Sequence, residues 1–212
     1  MFQLEKEMIP ILKRDLPKIF GSTHTAEEFV SGNGRPDLVF ASASSEPSFW
    51  KGKPPDYETL HLLVKFLNKQ GRVVRVDEVC GVDVKSHRKV QSIINTLSEL
   101  GFVEYKDDNH IVVRRKYQPV AEHFVSIEAK LSDWKSGIYQ AARYKAFSNS
   151  SYLAISEQYI ENVDRAFLKE CGVGLITVSD QGATVIVRAK KNKPSSIVSH
   201  YYLSERLIGS EL

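Results

Sequence analysis

Gly34-Arg35-Pro36-Asp37-Leu38-Val39-Phe40 and, far along the chain, Phe124-Val125-Ser126-Ile127-Glu128-Ala129-Lys130 each join an acid to an apolar, strand-like run. Residues two apart in a strand project from the same face, so Glu128 and Lys130 point together at whatever Asp37 faces. The surrounding valine, isoleucine and phenylalanine favour buried strand positions. A carboxylate at the rim of such a strand is costly unless something partners it. Two carboxylates and an amine on one sheet surface can hold a divalent cation and offset the negative charge of phosphodiester hydrolysis. The alternative is a solvated strand face, because short acidic motifs are common.

Upstream, Gln3 to Phe20 reads as a helix whose start Pro10 shifts or whose axis Pro17 kinks. Its apolar stripe is Met8, Ile9, Leu12, Leu16 and Ile19, and extending it backwards lands on Glu5. A carboxylate on a core-facing side is a functional candidate. Equally, an acid in a first turn is favoured by the helix dipole. Thr25 to Val30 reads as a strand, followed by the turn Ser31-Gly32-Asn33-Gly34 and the strand after Asp37. Ala41 to Pro55 shifts to small residues, glycine and proline, a linker.

Beyond it the pattern changes. Asp56 to Gln70 is an amphipathic helix with the stripe Tyr57, Leu60, Leu63, Val64, Leu67. Arg72 to Val76 is a short strand and Asp77 to Cys80 a brief helix. Asp83 or Ser86 can cap a longer helix running through Leu100, with the stripe Val90, Ile93, Ile94, Leu97, Leu100. Phe102 to Tyr105 and His110 to Arg114 then pair as a hairpin. After Val120 strands and helices alternate. A strand ends at Lys130, a helix spans Asp133 to Phe147, and a strand spans Ser151 to Ser156. A helix over Gln158 to Cys171, a hairpin of Val173–Ser179 with Ala183–Ala189, and a terminal helix over Ile197 to Ile208 complete the chain.

With 42% hydrophobic and 26% charged residues, the 212-residue chain can bury a sizeable core. No apolar run reaches a membrane span and the N-terminus lacks the form of a secretory signal. Cys80 and Cys171 form no CxxC pair and the six histidines show no ligand spacing. Structural zinc and redox chemistry are therefore not indicated, and a cytoplasmic setting is expected. The net charge of +3 permits nucleic-acid binding without requiring it. The cations are clustered, in Lys85–Lys89, in Arg114-Arg115-Lys116 and in Arg188-Ala189-Lys190-Lys191-Asn192-Lys193. Any one run alone can be a solvated face.

Two resemblances emerge from these residues. Helix, short strand, short helix, long helix and hairpin over 54–117 resemble a winged helix-turn-helix, with Ile94-Asn95-Thr96-Leu97-Ser98-Glu99-Leu100-Gly101-Phe102-Val103 similar to the end of its recognition helix. The resemblance implies that Lys85, Ser86, His87, Arg88, Lys89 and Gln91 face the major groove, and that Lys106, Arg114 and Arg115 lie on or beside the wing near phosphates. The alternative is a winged helix used for protein contacts. The remainder, 1–53 and 118–212, resembles the PD-(D/E)xK nuclease superfamily: a helix with Glu5, a strand, the Gly34–Asp37 motif, Glu128-Ala129-Lys130, and a helix with Gln140-xxx-Tyr144. The Glu5 phasing is similar to the first helix of archaeal Holliday-junction resolvases. The fold implied is α/β, a restriction-endonuclease-like core with a mixed central sheet flanked by helices, carrying an inserted winged-helix domain.

The family implies that Asp37, Glu128 and the Ala129 backbone carbonyl bind Mg²⁺, for which Mn²⁺ can substitute. Lys130 would orient or activate water and offset charge at phosphorus. Glu5 would complete the metal shell, and Gln140 and Tyr144, one turn apart, would position the site; the alternative for that pair is a polar helix surface. Such families usually join the two acidic strands by a short hairpin, whereas here the winged segment intervenes, placing a duplex-binding element beside the site. The expected activity is a Mg²⁺-dependent DNA endonuclease on duplex or branched DNA, working as a homodimer to cut both strands. The rivals are a non-cleaving DNA-binding regulator on a nuclease-derived scaffold and a protein-interaction adaptor.

Overall fold

A computed structural model describes residues 2–30, 32, 34–43, 55–79 and 87–208. The chain opens with a 3-10 turn, Glu5–Glu7, whose Glu7 carboxylate accepts from the backbone N–H groups of Gln3 and Leu4. Helix α1 (Ile9–Phe20) then begins with Pro10 in its first turn, where a missing N–H costs nothing. Gln3 to Phe20 is thus not one helix: proline resets the start, and Glu5 lies on the preceding turn. Gly21, at φ +63°, ends α1.

Strand β1 (His24–Glu27) is shorter than the expected Thr25–Val30, and it pairs antiparallel with β2 (Leu38–Ala43). β2 extends into what reads as linker; positions 44–54 lie outside the described residues. Next come α2 (Tyr57–Phe66), β3 (Val73–Arg75), α3 (Val76–Val79), α4 (His87–Glu99), β4 (Val103–Asp107) and β5 (His110–Val113). β3, β5 and β4 form a three-stranded antiparallel sheet in that order. The expected caps Asp83 and Ser86 lie outside the described residues.

The chain returns as β6 (Ala121–Lys130), followed by α5 (Trp134–Tyr144), β7 (Ser150–Ser156), α6 (Arg165–Glu170), β8 (Gly174–Val178), β9 (Ala183–Val187) and α7 (Ile197–Leu207). Gln158 to Cys171 is not one helix. A 3-10 turn over Glu157–Asn162 ends at extended Val163, and Asp164 caps α6 through the N–H groups of Ala166 and Phe167.

The main sheet is mixed and six-stranded, in the order β1-β2-β6-β7-β8-β9. β2 is antiparallel to β6, while β6, β7 and β8 run parallel. Period-two alternation along β2 sends Leu38 and Phe40 towards Met8, Leu12 and Leu16 at α1, and Val39 and Ala41 towards Tyr144, Phe147 and Leu203. Helices α5 and α6 cover the same second face through Ile138, Ala141 and Leu168. The result is an α/β layer structure with helices on both sides of the sheet.

The 55–117 segment has its own core, built from Leu60, Leu63, Val90, Ile94, Leu97 and Ile111 among others. Helix α7 belongs to both units. Val198 joins the core of the 55–117 segment, Leu203 packs under the main sheet, and the Ser204 hydroxyl accepts from Ala121 N–H at 2.7 Å. Tyr117 donates its hydroxyl to the buried Glu205 of α7. Tyr117→Phe removes that donor from a buried carboxylate and is expected to cost about 1–3 kcal/mol, read as a lower Tm. An unchanged Tm would mean the bridge contributes nothing to joining the two units.

Candidate active site

The β2–β6 register pairs Leu38 with Ile127. Continuing it by one residue sets Asp37 opposite Glu128, so the strand pairing alone brings the two acids together. The Ala129 N–H donates to Asp37 Oδ2 at 2.7 Å, a bond that fixes the carboxylate against the end of β6. Glu128, 3% exposed, accepts on both oxygens: from Lys130 Nζ at 2.8 Å on Oε1 and from the Tyr144 hydroxyl at 2.5 Å on Oε2. The Tyr144 oxygen also lies 3.1 Å from the Arg35 carbonyl, and its single proton goes to the nearer, charged acceptor. Asp37, Glu128, Lys130 and Tyr144 are therefore one connected set.

Two glycines allow this packing. Gly34 sits at φ +129°, and a Cβ there would stand 2.7 Å from the Tyr144 ring. In α5, a Cβ on Gly137 would lie 2.9 Å from Lys130 Cγ and 2.6 Å from Leu153 Cδ1. Each glycine lets backbone approach a side chain of the set more closely than any other residue could. Gly137 was the subtler signal, a glycine inside an amphipathic helix, where it costs stability unless packing demands it.

Glu5 reaches the site from its turn rather than from the core face of α1. It is half exposed, accepts from Leu131 N–H at 3.3 Å, and lies 3.8 Å from Lys130 Nζ. Asp37, Glu5 and Ala129 line a cavity of about 630 Å³ together with Glu27, Glu28, Lys6 and Lys13. Sequence reasoning missed Glu27 and Glu28, although the acidic pair closely precedes the glycine turn. Glu28, at φ +48°, pairs with Arg35, and its N–H donates to the Asp37 carbonyl at 3.1 Å. Gln140 lies one turn before Tyr144; its amide oxygen is buried without a hydrogen-bond partner among the described residues.

Burial, followed by the charge of Glu128, pushes the Asp37 carboxyl up from 3.8 to about 6 against the opposing Ala129 hydrogen bond. Lys130 is also raised. Burial pulls its pKa down, but the Glu128 hydrogen bond and the charges of Glu128, Glu5 and Asp37 outweigh that. The Tyr144 phenol is raised by burial first, then by the adjacent Glu128. This is an anionic, half-dry site whose buried acid is held by the Lys130 ammonium.

The donors are hard oxygens, the set that magnesium takes, and Asp37 is a carboxylate whose charge is unfavourable in its present surroundings. In donor chemistry, though not in their present arrangement, Asp37, Glu128 and Glu5 suit a divalent cation. Among the described residues, no three His, Cys, Asp or Glu side chains are gathered closely enough to enclose an ion in this arrangement. Glu128 meanwhile directs its oxygens to Lys130 and Tyr144.

The expected DNA-contacting residues are less uniform. Lys85 and Ser86 lie outside the described residues, as does the His87 side chain. Arg88 is exposed. Lys89 is ion-paired with Glu58 and lies 3.8 Å from Asp56, which ties α4 to the start of α2. Gln91 donates to the Tyr105 hydroxyl of β4 at 2.5 Å. Arg114 pairs with Glu104 at 2.7 Å, Arg115 lies over the Phe102 ring at 5.8 Å, and Lys106 is exposed. Several of these cations thus have internal partners.

The excursion that carries the 55–117 segment leaves the sheet at the end remote from the carboxylates. β2 runs away from Asp37 to Ala43, which pairs with Ala121 at the other end of β6. Glu128 lies seven positions beyond Ala121, about 23 Å at roughly 3.3 Å per residue.

A raised carboxyl pKa means that the folded state holds the Asp37 proton more tightly than the unfolded chain does. Its contribution is most favourable below about pH 4 and is lost as pH rises through about 6. In metal-free buffer at pH 7–8, Asp37→Asn is expected to raise stability by about 1–2 kcal/mol, discounted for partial exposure. The difference from wild type should close below pH 4. A destabilised variant at pH 8 would contradict the electrostatic reading.

Comparison of the chain with protein-family models, with curated proteins and with solved structures finds no match in any of the three.

Proposed function

We propose that this chain is a Mg²⁺-dependent deoxyribonuclease of the PD-(D/E)xK kind, a restriction-endonuclease-like core carrying an inserted winged helix. The observation that carries the reading is the Glu128–Lys130 ion pair beside Asp37, itself held by Ala129 N–H and lining a cavity with Glu5, Glu27 and Glu28. The antiparallel β2–β6 pair, the parallel β6-β7-β8 set and the Tyr144–Glu128 bond support it as well.

In this reading Asp37, Glu128, the Ala129 carbonyl and Glu5 would hold the cation. Bound there, such an ion would supply Lewis-acid polarisation of a phosphoryl oxygen and would lower the pKa of a water. Lys130 stays protonated because its carboxylate neighbours raise its pKa. It therefore serves as a positive charge for the developing phosphorane rather than as a proton acceptor. Tyr144 aims Glu128, and Gly34 and Gly137 let Tyr144 and Lys130 come close enough to do so. DNA, duplex or branched, is the substrate, and a homodimer meets the need for two sites when both strands are cut.

A second reading, a DNA-binding protein that does not cut, is favoured by one feature: both Glu128 oxygens are already engaged within the protein.

Supercoiled plasmid and branched DNA incubated with Mg²⁺ or Mn²⁺ should be nicked or linearised by the wild type, with a chelator stopping the reaction. Lys130→Ala should lower the rate by about 10²–10³-fold, the scale of losing one preorganised charge, while leaving DNA affinity nearly unchanged. Cutting at full rate by the variant would refute the site. Retained DNA binding with no cutting by either protein would establish the second reading.

A further inference from the structure

The third positive run, Arg188-Ala189-Lys190-Lys191-Asn192-Lys193, is not used by the site. Its four cations are exposed, and none is paired with a carboxylate among the described residues. In this they differ from Lys89 and Arg114, whose charges are answered by Glu58 and Glu104.

The run follows β9 without regular structure, yet hydrogen bonds fix it. Lys190 N–H donates to Gly172 O at 3.2 Å and Asn192 N–H to Asn149 O at 2.9 Å. The Asn192 side-chain amide donates to the carbonyls of Lys145 at 3.3 Å and Ser148 at 3.2 Å. Ser196 N–H donates to Ala146 O at 2.8 Å. Gly172 precedes β8 and Asn149 precedes β7, so the segment crosses the starting ends of the parallel strands, which lie about 4.8 Å apart. Lys191 comes near enough to His123 of β6 to add to the lowering of its imidazole pKa that burial begins. This is also the end at which Ala43 and Ala121 pair and the 44–120 excursion leaves the sheet.

We propose that Arg188, Lys190, Lys191 and Lys193 form a fixed track for the phosphate backbone of DNA, running along the end of the main sheet towards the 55–117 segment. The proposal rests on the nuclease reading for its choice of DNA. Unpaired cations on a pinned backbone suit a polyanion, because neither an internal ion pair nor much chain entropy is given up on binding. DNA held there approaches the protein at the opposite end of β6 from Glu128.

The test is fluorescence anisotropy of the whole protein with a labelled duplex, titrated with KCl, alongside the cleavage assay. Replacing all four cations by alanine should weaken binding at least tenfold near 0.1 M salt. The log–log salt slope should flatten by about 0.9 for each phosphate that is no longer neutralised. The charge-preserving set Arg188→Lys with Lys190→Arg, Lys191→Arg and Lys193→Arg should bind like wild type. Should the fourfold variant fold poorly, Lys191→Ala and Lys193→Ala separately should each flatten the slope by about one unit. An unchanged slope in a protein that still cuts DNA would overturn the track and leave the nuclease reading intact. A wild type that neither binds nor cuts DNA would overturn both. Binding to phosphatidylserine vesicles but not to DNA would overturn the track in favour of a membrane surface.

Discussion

Antiparallel pairing of β2 with β6 joins segments on either side of a long excursion, and the rest of the site depends on its register. With Leu38 opposite Ile127, the start of one strand meets the end of the other, and Asp37 accepts from Ala129 N–H across 92 positions of sequence. A shift of one residue would turn Glu128 and Lys130 to the α1 face, into the cluster of Met8, Leu12 and Leu16. The hydrophobic alternation of both strands forbids that, so core packing and site assembly are the same constraint.

Charge is concentrated where water is partly excluded. Glu128 is tolerated because Lys130 and Tyr144 satisfy it, whereas Asp37 retains a strained charge that leaves its carboxyl titrating near 6. Like charges in a low-dielectric pocket raise a carboxyl pKa, and a cation is the partner that relieves it. The glycines at 34 and 137 answer the same shortage of space, since a methyl at 34 would collide with Tyr144 and one at 137 with Leu153 and Lys130. Helix α7 acts at the other end of the sheet, seating the start of β6 and the 55–117 segment on a common support. The point where the excursion rejoins the sheet, Ala121, therefore stands about 23 Å from Glu128 along β6, by the rise per residue.

Much of this was legible in the sequence where a pattern is local. The stripes Leu12–Leu16, Leu60–Leu63 and Val90–Ile94–Leu97 are buried as their spacing requires, and the acid-bearing strands meet as their alternation requires. What was illegible depends on contacts between distant elements. Nothing in Lys89 or Arg114 announces Glu58 or Glu104 as partners, because those acids arrive from other elements. Periodicity left Glu5 open between the core face and a first turn, and Pro10, which starts α1 after it, leaves it on the preceding turn. The broken Gln158–Cys171 segment turned on Asp164, whose side chain caps a new helix more effectively than it continues an old one. The place where the excursion leaves the sheet, remote from the carboxylates, follows from strand direction, which periodicity does not encode.

In the proposed function Asp37 is a carboxylate held in readiness for a cation. Carboxyl ¹³C NMR of Asp37 over pH 3–8, with and without Mg²⁺, measures it directly. The account predicts a midpoint near 6 in metal-free buffer and a clear fall when Mg²⁺ is present. A midpoint near the ordinary 3.8 that Mg²⁺ leaves unmoved would contradict it.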